Sequence, residues 1–113
     1  MFGRAIQTKT PEQLAIMRRA GLVVADVIAT LRQHVAVGVT TAQLNEAAHD
    51  VIRSAGASSN FLGYHGFTGV ICASVNDEIV HGIPGSRELQ DGDIISVDCG
   101  AIVAGWHGDA AVT

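Results

Sequence analysis

The stretch from Ile94 to Thr113, I-I-S-V-D-C-G-A-I-V-A-G-W-H-G-D-A-A-V-T, constrains the fold of this chain more than any other. It reads as two strands joined at Ala104-Gly105. Along the first, Ile95, Val97, Cys99, Ala101 and Val103 form a wholly apolar set that belongs against a core, and Ile94, Ser96, Asp98, Gly100 and Ile102 fall on the other face. Glycine at the junction suits a two-residue hairpin turn, which requires positive φ. That register sets Gly100 opposite Asp109, so Asp98 and Asp109 become diagonal neighbours on one face. Diagonal Cβ atoms lie roughly 7–8 Å apart, within reach of two carboxylates converging on one object. Two acidic residues on a hairpin often mark no more than a solvated edge. The apolar strand around Asp98 argues against that here, because a carboxylate buried in such company must be paired, protonated or metal-bound.

The remaining sequence supplies a scaffold for the hairpin. Thr10-Pro11-Glu12-Gln13 is a capping box with proline at the first helical position. Leu14, Met17, Gly21, Val24, Ile28, Leu31 and Val35 then follow at spacings of three and four, predicting one long helix that ends near Gly38. A second box, Thr40-Thr41-Ala42-Gln43, opens a helix with Leu44, Ala47, Ala48, Val51 and Ile52 inward and Gly56 at its end. His34 and His49 have no partner at metal-ligand spacing and read as surface or structural residues.

Beyond Gly56 the period changes. Asn60 to Phe67 packs Phe61, Tyr64 and Phe67 among glycines, which suits either a glycine-bent strand with core aromatics or an aromatic-lined pocket. Val70 to Val75 reads as a strand, Asn76-Asp77 as its turn, and Glu78-Ile79-Val80 as the return. His81 then precedes a Gly-x-Pro exit, a setting equally suited to a structural histidine and to one engaged in hydrogen bonding or proton transfer.

Composition narrows the function classes. At 113 residues, 48% of them hydrophobic and 16% charged, the chain suits a single domain. Its net charge of −4 argues against nucleic acid or an anionic membrane as partner. Cys72 and Cys99 both sit in apolar strand patterns, compatible with one disulfide or with the buried thiols of a cytosolic protein. Neither a signal peptide nor a membrane-length apolar run is evident, so a cytoplasmic protein is expected.

Several segments together resemble the N-terminal half of a type I methionine aminopeptidase. They are T-P-E-x-L-x-x-M-R-x-A-G (Thr10 to Gly21), L-G-Y-H-G-F (Leu62 to Phe67), S-V-N-D-E-I-V-H-G-I-P (Ser74 to Pro84), D-G-D-I (Asp91 to Ile94) and V-D-C-G…G-W-H-G-D (Val97 to Asp109). The resemblance covers about Lys9 to Thr113, with Thr68 in the place where that family usually has proline. It implies an α+β architecture, half of a pita-bread fold with two helices on a curved antiparallel sheet. It further implies two divalent metal ions (Co, Mn, Fe or Zn), with Asp98 holding mainly one and Asp109 bridging both. His81 corresponds to the residue that contacts the scissile amide. Phe61, Tyr64, Phe67 and Cys72 correspond to the pocket for a methionine side chain. The implied reaction removes the N-terminal methionine from a nascent protein or peptide.

A further histidine and two glutamates of such a site are expected from the second half of the fold, in cis or in trans. On sequence grounds Glu12, Glu46, Glu78 and Glu88 lie on helices or turns apart from the hairpin. The expectation is therefore one incomplete domain over residues 1–113, inactive alone. One subunit of a split aminopeptidase and a non-catalytic binding protein on the same scaffold are the alternatives; proline dipeptidases are the other candidate parent family.

Overall fold

The computed structural model describes residues 8–63, 66–78 and 82–113. Two helices, α1 (Pro11–His34) and α2 (Thr41–Ser54), precede strands β1 (Ser58–Ser59), β2 (Ile71–Val75), β3 (Ile95–Val103) and β4 (Trp106–Val112). Both helices begin as the capping boxes dictate. The Thr10 hydroxyl accepts from Gln13 N–H at 3.1 Å while the Gln13 side chain accepts from Thr10 N–H at 2.9 Å, and Thr40 and Gln43 repeat the exchange at the same distances.

The inward face of α1 matches the expected stripe at Val24, Ile28 and Leu31 and departs from it elsewhere. Ala20, Val23, Val24, Val27 and Leu31 are buried, whereas Leu14 and Val35 are exposed and Gly21 faces outward. The reason is a close approach. Gly108 of β4 lies so near α1 that a Cβ on it would stand 2.9 Å from the Ala20 carbonyl carbon and the Gly21 nitrogen. The helix therefore presents the small Ala20 to the hairpin at this point. It also ends at His34 rather than near Gly38, because the next segment is recruited elsewhere: Gly38 N–H donates to Leu89 O and Leu89 N–H to Val39 O, both at 2.8 Å.

The α2 helix keeps the expected face, with Leu44, Ala48 and Ile52 buried and Ala47 and Val51 packed beside them. Its first turn is closed by the segment that follows the second strand. Buried Thr41 accepts from Gly85 N–H at 2.8 Å, and Ala42 N–H donates to Gly85 O at 2.9 Å. Asn45 reaches from the same helix to accept from Val70 N–H at 2.8 Å, fixing the entry to β2.

The four strands form one antiparallel sheet with β3 at its centre. β1 and β2 pair with successive parts of one edge of β3, and β4 pairs along the other. Ala104 and Gly105 both adopt positive φ, 48° and 82°, giving the tight hairpin foreseen from the sequence. Val97, Cys99, Ala101 and Val103 join Ile71, Ala73 and Val75 in the core beneath the helices. The opposite face of the sheet is left for the polar residues.

Candidate functional site

The register of the hairpin sets the geometry of this face. Gly100 pairs with Asp109 and Asp98 with Ala111, so the two aspartates are diagonal neighbours. On the other edge of β3, Cys72 pairs with Asp98 and Ser74 with Ser96. Cys72, Asp98 and Asp109 thus share a face, and Cys99 points into the core on the reverse side.

Asp98 is half-buried, with one carboxylate oxygen shut off from solvent, and Asp109 is exposed. Their combined field is felt by both thiols. Burial first, then the charges of Asp98 and Asp109, raise the Cys72 thiol above its ordinary range and push Cys99 up to about 12. Both cysteines are buried and not joined in a disulfide, in agreement with the thiol reading.

Beside Asp98 lies a cavity of about 170 Å³ lined by Cys72, Ser74, Glu78, Ser96, Val97, Asp98 and Ala111. Glu78 is a correction: the sequence separates it from the hairpin, yet the turn after β2 brings it to the same cavity. Asn76, in the left-handed region at φ 54°, folds the chain back there. One Glu78 oxygen accepts from Val75 N–H at 2.8 Å, so that carboxylate also serves the turn. A second polar staple holds this end of the sheet. Asp93 accepts from Gln90 N–H at 2.8 Å and from Asn76 at 2.9 Å, bonds that hold its carboxyl below the usual carboxylate range.

Of the pocket candidates, Phe61 and Phe67 meet edge-to-face with centroids 6.4 Å apart at 74°. Both are half-buried and neither belongs to the hydrophobic core, which excludes the core-aromatic reading for them. The chain leaves strand geometry after Ser59 and closes a loop in which Gly63 N–H donates to Phe67 O at 2.8 Å. Cys72 sits on β2, in the cross-strand row of Asp98. Tyr64 and His81 lie outside the described residues. The neighbour of His81 is fixed: Gly82 accepts from Ala73 N–H at 2.8 Å, and a Cβ on Gly82 would strike the Ala73 carbonyl.

In kind, the donors fit a divalent cation: two hard carboxylates facing one way beside a polar cavity. In number they are short, since among the described residues no group of three His, Cys, Asp or Glu side chains converges on a point.

The model of metallopeptidase family M24 matches residues 15–113. The chain belongs to that family. It is 53% identical over 105 residues to methionine aminopeptidase 1 of Bacillus subtilis (strain 168), covering 93% of this chain and 42% of that protein. Among solved structures, methionine aminopeptidase from Rickettsia prowazekii superposes with a TM-score of 0.90 at 37% identity, over 95% of this chain and 43% of that one. The enzyme from Thermotoga maritima gives 0.92 at 36% identity, over 96% and 44%. The two helices on an antiparallel sheet are thus half of the pita-bread architecture, and this M24 chain spans about two fifths of the length of the relatives it matches. No helix among the described residues is long and apolar enough to cross a membrane.

Proposed function

We propose that this chain is one half of the catalytic domain of a methionine aminopeptidase, an incomplete domain over residues 1–113 acting in the cytoplasm. The observation that carries the proposal is the β3–β4 register, which sets Asp98 and Asp109 diagonally on one face. The relatives at high identity bear the same name. In this reading Asp98 and Asp109 would hold divalent cations, Asp98 serving mainly one and Asp109 contributing to both. A bound pair, whether Co, Mn, Fe or Zn, supplies Lewis-acid polarisation of the scissile carbonyl and a water acidic enough to act near neutral pH.

The chain's own residues bind and orient the substrate. His81 contacts the scissile amide and steadies the departing nitrogen. Phe61, Tyr64, Phe67 and Cys72 receive the methionine side chain, whose polarizable sulfur gains from aromatic edges. The substrate is a peptide or nascent protein that begins with methionine. A further histidine and two glutamates come from the part of the fold this chain does not span, in cis or in trans.

The test uses the full-length protein, Mn²⁺ or Co²⁺ and a Met-Ala-Ser peptide. Wild type should release methionine and lose that activity to a chelator. Asp109→Ala should lower both bound metal and turnover by more than the roughly 10–100-fold that an outer-shell change costs. Full activity of Asp109→Ala with two metals still bound would contradict the assignment.

A further inference from the structure

The face that carries the aspartates is a grid of cross-strand rows. Cys72, Asp98 and Ala111 form one row, Gly100 faces Asp109 in the next, and Ile102 faces His107 in the third. Ser58 pairs with Ile102 and Ser59 with Ala101, so the chain leaving β1 brings Asn60 level with Gly100. The Asn60 side chain lies directly over that glycine: a Cβ on Gly100 would collide with Oδ1, Nδ2 and Cγ of Asn60. The place beside Asp109 that residue 100 would ordinarily fill is taken by a carboxamide from the segment that leaves β1.

Two observations mark this amide as more than packing. Its Oδ1 is buried and has no hydrogen-bond partner among the described residues. Such orphaned groups are few in native structures and call for an explanation. Its Nδ2 stands 3.5 Å from Nδ1 of His107, which shares the face of Asp109 two positions before it on β4.

We propose that Asn60 is a positioning residue for Asp109. The carboxamide occupies the cross-strand place left open by Gly100 and holds the Asp109 arm of β4 at the spacing from Asp98 that a cation requires. A neutral amide suits this place. A cationic side chain would compete with the metal for the two carboxylates, and an apolar one would offer Asp109 no polar neighbour. Gly100 belongs to the same device, since any side chain there evicts the amide.

This inference rests on the cation-binding reading of Asp98 and Asp109, and the experiment separates the two. Full-length protein is titrated with Co²⁺, followed by calorimetry and by visible d–d absorption. If wild type takes up no Co²⁺, the cation reading itself fails, and this inference with it. If wild type binds, Asn60→Ala should bind about 10–100-fold more weakly, with altered d–d bands. Asn60→Ser, which keeps a polar group, should recover part of the loss. Wild-type affinity and an unchanged spectrum in Asn60→Ala would overturn the proposal, whatever happens to its melting temperature. Should Asn60→Ala fail to fold, Gly100→Ala carries the same test with the same two outcomes, because its methyl displaces the amide.

Discussion

A histidine that touches a leaving group and a carboxylate that holds a metal differ in what their removal takes away. In the proposed reading, His81→Ala in the full-length protein should lower kcat by about 10²–10⁴-fold while leaving bound metal unchanged. Turnover measured beside metal content decides this, and loss of metal would make His81 a ligand instead. Asp98 and Asp109 are legible from sequence because strand alternation alone puts them on one face, and the observed pairs Gly100–Asp109 and Asp98–Ala111 follow from the turn. Asn60 is not legible in that way. Its relation to Gly100 depends on β1 and β3 meeting across a long stretch of chain, and no local pattern encodes it. Glu78 escapes for the same reason, since only the reversal at Asn76 brings it to the cavity beside Asp98.

At the scale of elements, the chain reads best where a start or stop signal is local. Both capping boxes and the Ala104-Gly105 turn form as their residues dictate. The face of α1 and its end do not, because they answer to tertiary contacts. Periodicity alone cannot choose between the stripe through Leu14 and Gly21 and the one through Ala20 and Val27. The approach of Gly108 to the α1 backbone decides it. Gly108→Ala is therefore a test of the element packing. Its methyl would meet the backbone of Ala20 and Gly21, neither of which can rotate away. The change should destabilise the full-length protein by about 1–3 kcal/mol, read as a lower denaturant midpoint at unchanged slope. A midpoint equal to wild type would mean that α1 is not held this closely to β4.

For the whole molecule, the sheet leaves one edge open among the described residues. The outer edge of β4 has no strand partner among the described residues, and Leu14, Leu22 and Ile94 are large apolar side chains that stand exposed. Open edges and apolar surface of this kind promote association. Residues 1–113 alone should accordingly lack aminopeptidase activity and behave as a poorly folded or aggregating species. A monodisperse, cooperatively unfolding monomer would refute the structural part of that expectation, and turnover would refute the catalytic part. The central claim is that β3 and β4 exist to hold Asp98 and Asp109 about a cation. Its most direct test is a crystal of the full-length protein grown with Mn²⁺ and measured for anomalous scattering. The account predicts anomalous peaks between the Asp98 and Asp109 carboxylates, on the face of the sheet away from α1. Manganese bound elsewhere in the molecule, with those two carboxylates left unliganded, would contradict it.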